Sequence, residues 1–164
     1  MAKLATYAPK EASELSGVTS DVQREWRRRG LMPFLTAEKE TAGWTTFDLR
    51  EVSALTIMRA LSDGCQIPLN TARIIAEASA DCVVAFLLEQ LDDRQRKVLK
   101  TPALAKSPES ERFVVVGSDK VPQFSGNWEE LLLRQHSPAT TSLDLKKIAD
   151  LIMSRAKKSF VVGA

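Results

Sequence analysis

Apolar and polar residues follow a helical spacing through the first 30 residues, where the pattern predicts two short helices joined by a tight turn. Residues 9–17 begin with a proline and end with a glycine, which are typical of the first position of a helix and of the residue just beyond its end. A second helix begins close behind, because Thr19 or Ser20 can accept a backbone N–H as its cap. Gly30 ends that helix, and the arrangement has the spacing of a helix-turn-helix.

The second helix is expected to have two chemically different sides. Val22 and Trp26 are four positions apart, so they predict an inward apolar stripe. Trp26 is expected in the core rather than at a phosphate. Four arginines lie between positions 24 and 29 and concentrate positive charge there. The polar residues predicted on the outer faces are Gln23, Arg24, Arg27 and Arg28.

Two short β-prone runs follow and predict a hairpin, the wing of a winged helix. Residues 34–36 and 44–47 lie on either side of a polar segment, which is the expected hairpin tip. Phe34 and Trp44 are expected to pair across the hairpin as aromatic neighbours.

Three further helices are predicted before residue 100. Asp48 and Glu51 form an Asp-x-x-Glu capping box for a helix that runs to Gly64. Residues 68–79 predict a shorter helix, and residues 81–97 predict another that is apolar at first and charged later. That apolar surface has to be covered. The sequence leaves open whether a second copy of the chain or the chain itself covers it.

The C-terminal third has a different pattern. Two prolines and several polar residues predict a linker at residues 100–111. The elements predicted beyond it are a strand at 112–117, helices at 127–135 and 142–156, the second capped by Ser142, and a closing strand at 159–164.

The predicted fold class is therefore mainly α, with a winged helix-turn-helix domain followed by an apolar helix and a small α+β C-terminal region. The predicted divisions are 1–78 for the winged-helix domain, 79–99 for a connecting or dimerisation helix, 100–111 for the linker and 112–164 for the C-terminal region, which is a second candidate for dimerisation.

The composition excludes several function classes. The chain of 164 residues has a net charge of +2, so any basic surface must arise from local clustering. No apolar run approaches the ~18 residues of a membrane span, and no signal peptide is visible, so a cytoplasmic protein without membrane contact is expected. One histidine, no Gly-rich phosphate loop and no clustered carboxylates make an enzyme the least expected class.

No cofactor and no metal are expected. Cys65, Cys82 and His136 are the chain's only cysteines and its only histidine, which is too few for a thiolate metal site. Both cysteines are expected as core residues, and their number provides no disulfide framework.

Residues 7 to about 75 resemble the DNA-binding domain of the MerR-type transcription regulators. The stretch "YAPKEASELSGVTSDVQREWRRRGLMP" resembles that family's opening helix-turn-helix with its Gly-Leu-apolar-Pro ending. The stretch "GWTTFDLREVSALTIMRALSDGCQIPLNTARII" resembles its wing return and the two helices that follow. The chain departs from the family at Gln23, where an apolar residue is usual, and at Thr45, where an arginine is usual.

The resemblance implies a regulator that binds double-stranded DNA as a homodimer, with RNA polymerase as a further partner. Its second helix would enter the major groove, where arginine can bind a phosphate or a guanine edge with two hydrogen bonds. The N-terminal end of that helix is expected at base edges and the next turn at phosphates. The predicted DNA-binding residues are Thr19, Ser20, Gln23, Arg24, Arg27, Arg28, Lys39 and Thr45.

Two alternative functions stay open at the level of sequence. An architectural DNA binder, such as an excisionase or recombination directionality factor, would use a similar winged helix and need no effector. A protein-interaction module, such as an adaptor or antirepressor with a relict winged helix, would suit the acidic wing tip at residues 37–40.

Overall fold

A computed structural model of the chain describes residues 3–36, 39, 46–92, 95, 108–117, 121–134, 141–157 and 160–162. The fold is mainly helical, with a helix-turn-helix near the N-terminus and a small sheet in the C-terminal region. The helices are α1 (Pro9–Ser16), α2 (Ser20–Arg28), α3 (Leu49–Arg59), α4 (Leu69–Glu89), α5 (Trp128–Arg134) and α6 (Leu145–Arg155). The strands are β1 (Lys3–Leu4), β2 (Phe113–Val116), β3 (Pro122–Ser125), β4 (Thr141–Asp144) and β5 (Val161–Val162).

The predicted turn between α1 and α2 is confirmed. Gly17 has φ 74° and donates its N–H to the carbonyl of Ser13 at 2.8 Å. That left-handed conformation costs glycine nothing, which is why glycine suits the position after a helix. Thr19 then caps α2, since its hydroxyl accepts the N–H of Val22 at 3.4 Å. Local residue types are thus enough to set where both helices begin and end.

The two strands of the predicted wing hairpin do not pair with each other in the described residues. Residues 34–36 form no strand; Phe34 lies in a turn, with φ 54°. The N–H of Phe34 donates to the Glu77 carboxylate at 2.9 Å, so a side chain on α4 takes the bond that a strand partner would take. The proposed partner of Phe34, Trp44, lies outside the described residues. Phe47, at the end of the predicted return strand, exchanges backbone hydrogen bonds with Tyr7 at 2.7 and 2.8 Å.

Helix α3 is the centre of the core. Its predicted capping box is confirmed: Asp48 accepts the N–H of Glu51 at 2.8 Å, and Glu51 accepts the N–H of Asp48 at 2.9 Å. Almost every side of α3 is buried, because other helices contact it all round. A wider π-helical turn at Ala60–Gly64 follows it.

A single helix of 21 residues, α4, joins the helix predicted at 68–79 to the apolar first half of the one predicted at 81–97 and ends at Glu89. Of the later residues 93–97, only residue 95 lies within the described structure. The predicted break was wrong because Leu69–Glu89 contains no glycine or proline to end a helix. Ser79 and Ala80, placed at the expected break, are fully buried, and α4 as a whole packs against α3.

The apolar part of the predicted 81–97 helix is covered by the chain itself. Val83, Phe86 and Leu87 are at most 1% exposed without any second subunit. They belong to one hydrophobic cluster that also includes α6 and strand β2. The described part of this segment therefore offers little apolar surface for a coiled coil with a second copy.

The C-terminal region is a three-stranded antiparallel sheet in the order β3-β2-β4, with α5 and α6. The predicted strand at 112–117 is confirmed as β2, whereas β3 was not predicted. Ser142 was predicted as a helix cap but lies in β4; the cap of α6 is Asp144, which accepts the N–H of Lys146 at 3.1 Å. Pairing of β4 with β2 holds this segment extended and delays the start of α6.

The two ends of the described chain meet. Strand β5, within the predicted closing strand, pairs antiparallel with β1, and α6 packs against α1, α3 and α4. The C-terminal region is therefore packed onto the helix-turn-helix. Of the predicted linker, residues 100–107 lie outside the described residues and Pro108–Glu111 forms one 3-10 turn. Among the described helices none combines the length and the apolar character that a bilayer span requires.

Candidate nucleic-acid interface

The orientation of α2 is set by two buried residues. Trp26 is buried, as predicted, but its inward neighbour is Gln23 rather than Val22. Gln23 is 1% exposed and Val22 is 39% exposed, so the predicted Val22–Trp26 stripe was wrong by one position. The side-chain amide of Gln23 donates to the carbonyl of Val18 at 2.9 Å, which satisfies part of its polarity inside the protein.

Burial of Gln23 removes it from the outer face of α2. Gln23 was predicted to contact a base edge, but its side chain lies inside the protein and not on the surface that a duplex would meet. A helical turn places the side opposite Gln23 and Trp26 toward solvent. That side carries Ser20, Asp21, Arg24 and Arg28, all of which are exposed.

Both exposed arginines on this face have acidic partners on α2 itself. Arg28 binds the Glu25 carboxylate with two hydrogen bonds, of 3.0 and 2.9 Å. Arg24 forms an ion pair with Asp21. The hydrogen bond from Arg28 and then its charge lower the pKa of Glu25, and the same bond raises the pKa of Arg28. The outer face is therefore a stripe of alternating charge.

These pairs are open to competition. The side chains of Arg24 and Asp21 are 73% and 83% exposed, and those of Arg28 and Glu25 are 76% and 45% exposed. Ion pairs so exposed contribute little, because water and salt screen them and holding two long side chains together costs entropy. A phosphate can accept both guanidinium N–H groups that a carboxylate accepts, so it can replace the carboxylate.

The remaining predicted residues on α2 have distinct surroundings. Thr19 is exposed but its hydroxyl already caps the helix, whereas Ser20 is exposed with its side chain toward solvent. Arg27 is half-buried, with its Nε in the protein interior. Arg29, which follows the last turn, is exposed.

The predicted wing residues do not join α2 in the described structure. Thr45 lies outside the described residues. Lys39 forms an ion pair with Glu51, which is 3% exposed and belongs to the capping box of α3. Lys39 thereby ties its segment to the core, and its charge is compensated there.

One basic residue near α2 was not predicted. Arg59, at the end of α3, pairs with Asp63 at 3.4 Å. Together with Thr19, Val22 and Trp26 it lines a cleft of about 130 Å³ beside the start of α2. Sequence gives only a weak signal for Arg59, since its position follows from how α3 packs behind the turn.

The cysteines have different environments. Cys82 is buried, as predicted, and its thiol contacts the carbonyls of Glu111 at 3.4 Å and Pro108 at 3.7 Å. Burial, followed by the charge of Glu111, raises the pKa of Cys82 to about 12. Cys65 is exposed, so its predicted core position was wrong. No group of three potential metal ligands occurs within the described ranges.

The comparisons with known proteins bear on the N-terminal part of this arrangement. Residues 7–79 match the family model described as MerR HTH family regulatory protein. The match includes α1, α2 and α3 and the first half of α4. A comparison of the chain with curated proteins gives no match.

Proposed function

We propose, on the premise that residues 7–79 belong to the MerR family of helix-turn-helix regulators, that the chain is a sequence-specific transcription regulator that binds double-stranded DNA. The observation that carries the proposal is the orientation of α2. Gln23 and Trp26 anchor the helix from behind, so Arg24 and Arg28 face outward. A regulator of this kind acts where the chromosome lies, which places it in the cytoplasm of a bacterium or of a phage-infected cell.

The proposed DNA contact of each residue follows from its position along α2. Ser20 and Arg24 lie in the first turns, which meet base edges when a recognition helix enters the major groove. Arg28 lies one turn further and would bind a phosphate, with Arg27 beside it. Arginine suits both tasks because its planar, permanently charged group makes two parallel hydrogen bonds. Each phosphate contact would add salt-dependent affinity.

The carboxylates of Asp21 and Glu25 would moderate how strongly the arginines of α2 attract DNA. In free protein they neutralise Arg24 and Arg28, which weakens non-specific attraction to any polyanion. At a specific DNA site the guanidinium groups of Arg24 and Arg28 would leave these carboxylates and bind a phosphate or a base edge instead. Breaking the exposed ion pairs would thus cost little binding free energy at a specific site, while the neutralised helix would gain little from random DNA. This favours discrimination between sequences over raw affinity.

A dimer is the proposed DNA-binding form, because one helix-turn-helix contacts only a few base pairs and paired half-sites supply the rest. The apolar side of α4 is already covered by its own chain. We therefore place the dimer contact in the C-terminal region, where Val121 and Leu151 are large apolar residues with 56% and 39% exposure. Sedimentation equilibrium of the full chain and of a Leu151→Glu variant would test this placement.

The DNA-binding proposal is tested with DNA fragments selected from the source genome by the full-length chain. Fluorescence anisotropy at several salt concentrations gives both the affinity and the slope of its logarithm against the logarithm of salt. Changing Arg24 and Arg28 together to alanine should abolish specific binding, and Arg28→Ala alone should reduce the slope by about one, because it removes one phosphate contact. Lys147→Ala, which removes an exposed cation from α6, is the matched control and should bind normally.

A second function is favoured by the ion pairs on α2. A stripe of Asp21, Arg24, Glu25 and Arg28 is also a suitable surface for a protein partner with complementary alternating charge. Under this alternative the chain is an adaptor, and no DNA would be recovered in the selection. Capture of promoter DNA that depends on Arg24 and Arg28 would exclude it.

A further inference from the structure

A cleft of about 270 Å³ lies between the first helix of the helix-turn-helix and the end of the C-terminal helix. Helix α1 supplies one wall and the last turn of α6, with the residues after it, supplies the other. The lining residues are Tyr7, Lys10, Glu11, Glu14, Leu15, Arg155, Ala156 and Lys157. Its size is close to the lower end of the range of ligand pockets, about 300–1,000 Å³.

The cations of this cleft outnumber its available carboxylates. Glu14 is engaged by Lys157 at 2.7 Å, and Glu11 accepts the backbone N–H of Ala8 at 3.1 Å. Lys10 and Arg155 form no ion pair with a described carboxylate, although the charge of Lys10 acts on Glu14. The lining carries three cations, Lys10, Arg155 and Lys157, against two carboxylates, so the cleft has an excess of one positive charge.

Arg155 is the more informative of the two cations. Its guanidinium is half-buried and donates to the carbonyl of Leu15 at 3.2 Å. Arg59 also approaches it, because the guanidinium groups of Arg59 and Arg155 both lie against Gly17. Burial and then the charge of Arg59 lower the pKa of Arg155. Because Arg59 already pairs with Asp63 at 3.4 Å, Arg155 is the cation of the two that has no described carboxylate partner. A partly buried cation in that state favours an anion.

Tyr7 lines this cleft, while its hydroxyl is closed off from solvent. The residue is 7% exposed, and its hydroxyl is buried without a hydrogen-bond partner in the described part of the chain. Such an orphaned hydroxyl is costly unless something binds it. Burial, followed by the charge of Glu11, raises the pKa of Tyr7, so the phenol stays a neutral donor at physiological pH.

We propose that this cleft binds a small molecule with an apolar body and one carboxylate, which pairs with Arg155 and Lys10. The Tyr7 ring, Leu15 and Ala156 contact the apolar body. Arg155 holds the last turn of α1, directly before Gly17 and α2. An effect of the ligand on DNA affinity rests on the proposed function; the binding itself does not.

The test uses phenylacetate as the probe and phenylacetamide, its neutral counterpart of the same shape, as the control ligand. Two-dimensional amide NMR of the full-length chain is recorded while each is added to millimolar concentration, the range in which small fragments bind. Phenylacetate should shift resonances of the lining residues on α1 and at the end of α6, and phenylacetamide should not. Absence of shifts there, or equal shifts with both probes, would overturn the proposal.

Four variants assign the contacts. Arg155→Gln should raise the dissociation constant for phenylacetate about tenfold through loss of a charge-assisted pair, whereas Arg155→Lys should retain part of the affinity. Lys147→Gln makes the same charge change on an exposed face of α6 and should leave binding unchanged. Ala156→Leu fills the cleft without removing a contact. It should abolish binding while the circular dichroism spectrum stays native, so it decides the question even if Arg155→Gln fails to fold.

Discussion

The side chain of Gln23 is hydrogen-bonded to the backbone of Val18, with the amide nitrogen 2.9 Å from the carbonyl oxygen. Val18 belongs to the turn and Gln23 to α2, so this bond fixes the helix relative to the turn that precedes it. Both residues are at most 2% exposed. The carbonyl oxygen of the Gln23 side chain has no partner within the described structure, so only the nitrogen of this side-chain amide is hydrogen-bonded. This bond, together with Trp26, decides which arginines face outward.

Removing the Gln23 side chain should cost stability without a direct effect on DNA contacts. Gln23→Ala loses the bond to Val18 and leaves a cavity, so the free energy of unfolding should fall by about 1–3 kcal/mol. Gln23→Leu refills the volume and removes the unsatisfied oxygen, and should change it by less than about 1 kcal/mol. Urea unfolding followed by tryptophan fluorescence measures both.

Gln23→Leu also distinguishes a structural role of this residue from a DNA-binding one. Because the native side chain is buried, DNA affinity of the folded variant should equal that of the wild type in fluorescence anisotropy. A stable Gln23→Leu protein that no longer bound its DNA site would show that Gln23 takes part in DNA binding.

Neutralising the acidic partners on α2 should strengthen DNA binding. Asp21→Asn together with Glu25→Gln releases Arg24 and Arg28 from their ion pairs and removes two negative charges from the outer face. Affinity should rise several-fold, and more for random DNA than for the specific site, because phosphate attraction is independent of sequence. Competition anisotropy with both DNAs measures the ratio. Unchanged affinity for both would indicate that this face does not approach the duplex.

The ion pair of Arg112 with Asp144 should make stability depend on acid pH. Two hydrogen bonds join the groups, at 3.1 and 2.8 Å. Burial by itself raises the pKa of Asp144, but the hydrogen bonds and charge of Arg112, with the backbone N–H groups of Lys147 and Lys146, leave that pKa below its ordinary value. A lowered carboxylate pKa contributes stability above the pKa of the unfolded chain, and that contribution is lost as pH falls through the folded pKa.

Asp144→Asn isolates this contribution, since asparagine can still cap α6. At neutral pH the free energy of unfolding should fall by about 1–3 kcal/mol. Below the pKa of the wild-type carboxylate the two proteins should converge. Urea unfolding across the acid range checks this, and a difference that persisted at the lowest pH would assign the loss to packing instead of charge.

The two cysteines should react at very different rates. Cys65 is exposed and Cys82 is buried with its pKa at about 12, so a thiol reagent at mildly alkaline pH should label one site in the folded protein. Cys65→Ser should remove that fast reaction, and denaturant should reveal the second thiol. Rapid labelling of folded Cys65→Ser would contradict the burial of Cys82.

Cys82 should also contribute to alkaline unfolding. The unfolded thiol loses its proton near its ordinary pKa of 9.0, while the folded thiol keeps it to about 12. The contribution of this thiol to stability is therefore constant below the unfolded pKa and is lost between the two values as pH rises. Cys82→Ala should show a shallower decline in thermal melts over this interval.

The sequence by itself determined the features that depend on a few neighbouring residues. Gly17 ends α1, Thr19 caps α2, and Asp48 with Glu51 begins α3, because caps are satisfied within four positions along the chain. The run of apolar residues in β2 was sufficient for a strand. The order of these signals also gave the resemblance to MerR-type regulators, and the MerR family model matches residues 7–79. The exposure of Arg24 and Arg28 followed from helical spacing alone.

Only the tertiary structure decided which polar residues became buried and which contacts joined distant segments. Gln23 displaced Val22 from the inner face of α2 because the carbonyl of Val18 lay within reach of its amide. Helix α4 continued through its expected break, because the segment holds no helix-ending residue and the polar Ser79 is buried there in the assembled core. The cleft at Arg155 exists because residues 140 positions apart in the chain are packed together. Such outcomes depend on burial, and burial is a property of the assembled core that no local pattern encodes.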